Sequence, residues 1–237
     1  MQSTARSTRW FVGFTRDGLI AAGQRVATPS TRAGFTQIAS LFFGSTLIGL
    51  GVALFVRADL GVPAYDVMLT AIRDRFGVSL GQAGWLFTGL LFLVATALGQ
   101  RPRPIAVAYI LGNGLAVDTF MQVVRQPDDL VVRLGFVGLG TMIIAAAVAL
   151  VTHAGLGGGA TELLMRAGES RGLNPFRVRT ALEITIVTFG VFLGGSFGPA
   201  TVFFVLTISP ILQAGRRALD DHRTGRRLRM QATTRPR

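Results

Sequence analysis

Six apolar runs of about twenty residues each follow one another along the chain, at 37–56, 80–99, 104–123, 134–151, 175–194 and 196–214, with short polar or glycine-rich breaks between most of them. A hydrocarbon core of about 30 Å needs about 20 residues of helix to cross it. Backbone groups in lipid must be satisfied within the segment, and runs this long without alternation exclude a barrel. The pattern predicts an all-α polytopic membrane protein with six transmembrane helices, the fourth and sixth a little short.

One break is too long to be a connection. Between the first and second runs the chain reads RADLGVPAYDVMLTAIRDRFG, residues 57–77, where a few loop residues would suffice. After the Gly-Pro turn, Ala64, Val67, Met68, Ala71 and Ile72 fall on one helical face, and Asp66, Thr70, Arg73 and Asp74 on the other. The same pattern returns after the fourth run, where Ala160, Leu163, Leu164 and Ala167 oppose Glu162, Arg166, Glu169 and Ser170. A shift of 96 superposes the two stripes and pairs Leu60 with Leu156, Gly61 with Gly157 and Asp66 with Glu162. A shift of 95 then pairs Gly77 with Gly172, Gly99 with Gly194 and Pro104 with Pro199.

The chain therefore reads as two repeats, 36–123 and 133–215, each with three spans and a short helix after its first span. An odd number of spans inverts the second copy, an arrangement typical of secondary transporters. The short helices are too brief to cross a bilayer. Each is either interfacial, with its polar face in water, or re-entrant, with that face toward a protein-lined cavity.

Composition agrees with a membrane class: half the residues are hydrophobic and only 15% are charged. The net charge of +12 is concentrated at the ends, since residues 1–35 carry five Arg and one Asp, and residues 216–237 eight Arg and two Asp. The domain reading is a basic arm at 1–35, a six-helix transmembrane domain at 36–215 and a basic tail at 216–237. Beside a membrane segment such tails are expected to contact anionic headgroups and to set orientation, with no nucleic acid as partner. Excess Arg in RPRP at 101–104, in the 152–177 connection and in both tails places the two termini in the cytoplasm. The short apolar stretch WFVGF at 10–14 does not make a secretory signal.

The stretches ADLGVPAYDVM at 58–68 and RTALEITIVTFGVFLGG at 179–195 make the chain resemble the YczE/YyaS/YitT group of bacterial multipass membrane proteins. The family pattern favours an aromatic residue followed by Asp, matched by Tyr65 and Asp66, and its second motif places a glutamate at Glu183. The second copy departs from it at GGGATE, where proline is missing and Glu162 stands for an Asp. The resemblance implies a bacterial inner-membrane location, and for the group transport is often supposed, with some members linked to secondary-metabolite production.

Acidic residues at membrane depth are costly unless paired, neutralised or hydrated, so they mark candidate solute or proton sites. These are Asp66, Glu162, Glu183 and Asp118, with Tyr65 and Asn113 beside them. Each has a structural alternative. Asp118 sits near the outer end of the third span and could reach the headgroups, Glu183 could pair with Arg179 one turn earlier, and Asn113, between Gly112 and Gly114, could serve helix packing. Arg57 and His153 read as anchors at helix ends.

With no cysteine and two distant histidines there is no metal or cofactor site to expect, and GxSxG, HExxH and GxxxxGK[ST] are absent, so no enzyme is expected. The functional expectation is a secondary carrier for a small solute, coupled to protons. Its rival is a scaffold that positions a cytoplasmic partner such as a biosynthetic enzyme.

Overall fold

The computed structural model describes residues 31–153 and 159–212. The chain divides into units 1–35 and 36–237, and of the first only the start of a helix is described. Residues 1–30 of the basic arm, the tail at 216–237 and the residues at 156, 157 and 158 lie outside the described residues.

Among the described residues eight helices follow in order: α1 Thr31–Ala58, α2 Ala64–Phe76, α3 Leu80–Ala97, α4 Pro104–Val123, α5 Leu130–His153, α6 Ala160–Glu169, α7 Pro175–Phe192 and α8 Pro199–Leu212. No strand occurs among the described residues. Among the described residues four segments are long and apolar enough to cross a membrane: Ile38–Ala58, Leu80–Ala97, Pro104–Val123 and Leu130–Val151. The fifth and sixth apolar runs fall short of that measure for different reasons. α7 carries Arg177, Arg179 and Glu183 in its first half, whereas α8 is apolar but shorter.

The long helices approach closely because small residues let them. Gly49 of α1 lies against Ala116 and Val117 of α4, and Gly51 against Ile144 of α5. At one end of the bundle, arginines from one helix occupy the free carbonyls that close another. Arg57 donates to the Met121 carbonyl at the end of α4. Arg133, at the start of α5, donates to the Ala58 carbonyl at 2.5 Å and to the Asp59 carbonyl at 3.0 Å, so it closes α1. At the opposite end Arg171 reaches the Leu98 carbonyl after α3 at 3.3 Å. Arg57 is thus more than an anchor to the interface, since it terminates a neighbouring helix.

The short helices sit between the longer ones. α2 packs against α7 and α3, and α6 packs against α3 and α7. The two copies nevertheless differ in burial. In α6 the apolar face is covered while Arg166, Glu169 and Ser170 stay exposed, as expected of a one-faced helix. In α2 every residue from Asp66 to Ala71 is buried, polar stripe included, and only from Asp74 on does the helix open to the surface.

Candidate functional site

The site is built on the hairpin that α2 makes with α3. Pro63, at φ −51°, precedes the first turn of α2 without needing to donate a hydrogen bond. Gly77 ends the helix in the left-handed conformation at φ 67°, its N–H donating to the Arg73 carbonyl. Ser79 then starts α3 with a capping box, its hydroxyl accepting from the Gln82 N–H at 3.1 Å while its own N–H donates to Gln82 Oε1 at 3.0 Å. Returning along α3, Leu69 meets Gly84, and Tyr65 meets Phe87 and Thr88. The start of α2 therefore lies eight or nine residues along α3 from Ser79, roughly 12 Å at 1.5 Å per residue.

That start is held by backbone from far along the chain. The Val62 N–H donates to the Ser196 carbonyl at 3.1 Å, and the Ala200 N–H to the Leu60 carbonyl at 2.9 Å. Thr70 accepts from the Ser196 N–H at 2.9 Å and donates to the Val67 carbonyl, so it is satisfied although wholly buried. Gly61 and Gly198 are in backbone contact, and Gly190 of α7 lies against the backbone of Val67 and Met68. The irregular stretch 61–63 is thus covered by protein, the condition under which such backbone is tolerated in a membrane, whereas Asp59 stays exposed.

Within this setting Asp66 is 7% exposed. Its carboxylate makes no ion pair and no side-chain hydrogen bond among the described residues, and burial with nothing to offset it pushes its pKa up to about 7. Tyr65 shares a 2.8 Å hydrogen bond with Thr88, and burial raises its phenol to about 12, which keeps it neutral. Asp66 and Tyr65 are neighbours in sequence but leave the helix about 100° apart, so the phenol does not serve the carboxylate.

The other candidates lie elsewhere and are partnered. Asp118 closes the start of α3, accepting from the Ser79 hydroxyl at 2.6 Å and the Gly81 N–H at 2.8 Å. Glu162 pairs with Arg166 at 2.7 Å and Glu183 with Arg179 at 2.8 Å, each one turn apart and substantially exposed. Asn113 keeps its Oδ1 buried without a partner, but its flanking glycines serve contact. Gly114 makes room for the Trp85 indole, whose N–H donates to the Ile110 carbonyl at 3.2 Å, and Gly112 lies beside Ser45. No hydrogen bond or ion pair joins Asp66 to any of these four side chains.

Near the hairpin turn an open cleft of about 390 Å³ is walled by Arg73, Ser79, Gln82, Asp118 and Gln122. Arg73 is engaged there with Asp74, Nε to Oδ1 at 2.6 Å and Nη2 to Oδ2 at 3.0 Å. Arg73 follows Asp66 by seven residues, two helical turns, so the cleft opens on the α2 face that carries the buried carboxylate roughly 10 Å deeper. Thr70 and Ser196 escape a reading of the sequence alone, because a threonine in a polar stripe gives no sign of a partner 126 residues away.

A family described as being of unknown function, DUF6198, matches residues 35–217. An uncharacterized protein of Haemophilus influenzae is 27% identical over 188 residues, 79% of this chain and 86% of that protein. The uncharacterized membrane protein YczE of Bacillus subtilis is 27% identical over 177 residues, covering 73% and 81%. The uncharacterized protein YyaS of the same organism is 24% identical over 113 residues, covering 45% and 55%. No solved structure matches the chain.

Proposed function

The chain belongs to the family of unknown function DUF6198, a membrane family by its YczE relative, and on that premise we propose that it is a proton-coupled carrier of a small solute with Asp66 as its proton site. One observation carries this reading: a carboxylate 7% exposed, without ion pair or hydrogen bond, at the covered start of a helix that cannot cross the bilayer. A scaffold gains nothing from such a group, since a buried acid without partners only destabilises the fold. A proton carrier needs one, because a carboxyl near neutrality exchanges its proton at physiological pH.

The same proposal takes the architecture as six spans in two inverted repeats. In its favour, the short helix of each sequence repeat packs on the second long helix of both repeats, α2 on α7 and α3, α6 on α3 and α7. The antiparallel run of α2 along α3 favours a re-entrant α2, and the exposed polar stripe of α6 favours an interfacial one. The inner-membrane orientation with cytoplasmic termini, and headgroup contacts of the Arg-rich ends, belong to this reading too. They draw support from the gathering of 57–62, 121–133 and 195–200 through Arg57, Arg133 and the Leu60–Ala200 bonds, with Leu98 and Arg171 meeting elsewhere.

Orientation is directly measurable because the chain has no cysteine. A single cysteine at Gln126 should react with an impermeant thiol reagent added to intact cells, and one at Pro102 should not. The reverse labelling would invert the assignment.

The carrier reading is tested by unfolding the purified protein against a metabolite library at pH 6 and pH 8. A solute at a hundred times its Kd stabilises by about 2.7 kcal/mol. At least one solute should raise the unfolding temperature by an amount that depends on pH, and the shift should vanish in Asp66→Asn. A library without effect, together with a cytoplasmic protein that co-purifies in fixed ratio, would favour the scaffold.

A further inference from the structure

Resting on the carrier reading, we infer that the transported solute is a monovalent organic cation that displaces the proton from Asp66. α3, which packs on α2, has no ionisable side chain. α7 meets α2 around Gly190, and its ionisable residues Arg177, Arg179 and Glu183 lie at least one and a half turns away on the exposed first half. The segment 195–200 contributes none. On α2 itself Tyr65 is neutral, Arg73 is engaged with Asp74, and Arg75 is exposed; Arg57 of α1 is committed to Met121. The ionised site therefore carries one uncompensated negative charge.

Only a species with one positive charge removes that imbalance, and a proton and a solute cation are interchangeable in this respect. An anion would bring a second negative charge into a site without a basic group. The exchange balances as Asp66–COOH plus cation giving Asp66–COO⁻·cation plus H⁺, with the proton released to water.

The donor set selects the kind of cation. Hard inorganic ions take six or more oxygen ligands, or keep their waters. Here the hydroxyls of Thr70 and Thr88 and the carbonyls of Leu60 and Ser196 are already engaged, and no group of three His, Cys, Asp or Glu is placed to hold a metal ion among the described residues. The chain just before the carboxylate is apolar, with Val62, four residues earlier, almost wholly buried. An alkylated or arylated ammonium fits such walls, because it needs one counter-charge and apolar contact in place of an oxygen cage. The Arg73–Asp118 cleft lies on the same face of α2, two turns from Asp66 with the buried Thr70 between them.

The test uses the full chain in detergent, lightly buffered at pH 6, titrated with tetramethylammonium, choline, benzyltrimethylammonium and tetraphenylphosphonium, and with tetraphenylborate as an anion of matched shape. At least one cation should release about one proton per molecule bound, and its apparent Kd should weaken about tenfold per pH unit below the carboxyl's titration. Asp66→Asn should abolish the release, and tetraphenylborate should cause none. The Asp66 carboxyl is followed in parallel by its infrared C=O band. If that band titrates near neutrality but no cation releases the proton, the cation class is overturned while the proton-coupled carrier stands. If the band does not titrate there, both fail.

Discussion

Asp66→Asn should remove a pH dependence of stability rather than damage the fold. The parent carboxyl has its folded pKa pushed up to about 7 from 3.8 by burial. Between those values the folded chain holds a proton that the unfolded chain has lost, so stability falls as pH rises. The contribution is fully present below about pH 4 and is gone once the pH has passed the folded pKa. A shift of this size corresponds to on the order of 4 kcal/mol between the two ends. The parent should therefore unfold at clearly lower temperature at pH 8 than at pH 5. The amide variant, which keeps the shape and cannot ionise, should unfold at nearly one temperature throughout and match or exceed the parent at pH 8. Identical profiles for the two proteins would show that Asp66 is solvated or paired.

Gly61→Ala should be among the most damaging single substitutions in the chain. Gly61 has φ 105°, a region that side chains rarely enter, and a Cβ there would stand 2.6 Å from the Gly198 nitrogen and 2.8 Å from its Cα. Those are backbone atoms beside the Leu60–Ala200 crossing, with the Gly198 N–H donating to Thr201 Oγ1 at 3.2 Å, so neither side has room to yield. Strain and overpacking together should cost roughly 3–5 kcal/mol, read as a loss of folded monodisperse protein on extraction. Gly77→Ala is the matched control. It too has positive φ, but nothing lies within 4 Å of its would-be Cβ, so the cost should be about 1 kcal/mol. Equal effects at the two positions would show that the crossing is loose.

What the sequence conveyed depended on distance along the chain. Local relations were legible: the short helix after the Gly-Pro turn, Asp66 in its first turn, and the Arg179–Glu183 pair one turn apart all follow from helical period. Relations across the chain were not. The polar stripe of α2 shows that Asp66 and Thr70 share a face, but only Gly190 and Ser196, more than a hundred residues on, turn that face from surface to interior. The same stripe in α6 stays open, so an identical pattern gave two outcomes decided by neighbours. Asp118 illustrates a signal present but indirect. S-x-x-Q at 79–82 announces the start of α3, yet nothing in it says that a carboxylate 39 residues later supplements the cap. Likewise the glycines around Asn113 suggest packing, but nothing in the sequence says that Gly114 makes room for the Trp85 ring.

The crossing of Leu60 and Val62 with Ser196 and Ala200 also fixes an order of events at the ribosome. The first three long helices are made and can insert before residue 130 emerges, but the backbone groups of Leu60 and Val62, and the cover over Asp66, have no partner until the chain has grown by a further seventy residues. Through that interval the growing chain holds a half-built carboxylate site whose completion waits on its last quarter. Late, non-local closure of this kind is slow and leaves the intermediate open to misassembly. Membrane chaperones and quality-control proteases therefore have their longest opportunity at this step, and a nascent chain arrested short of residue 200 is the form they should recognise.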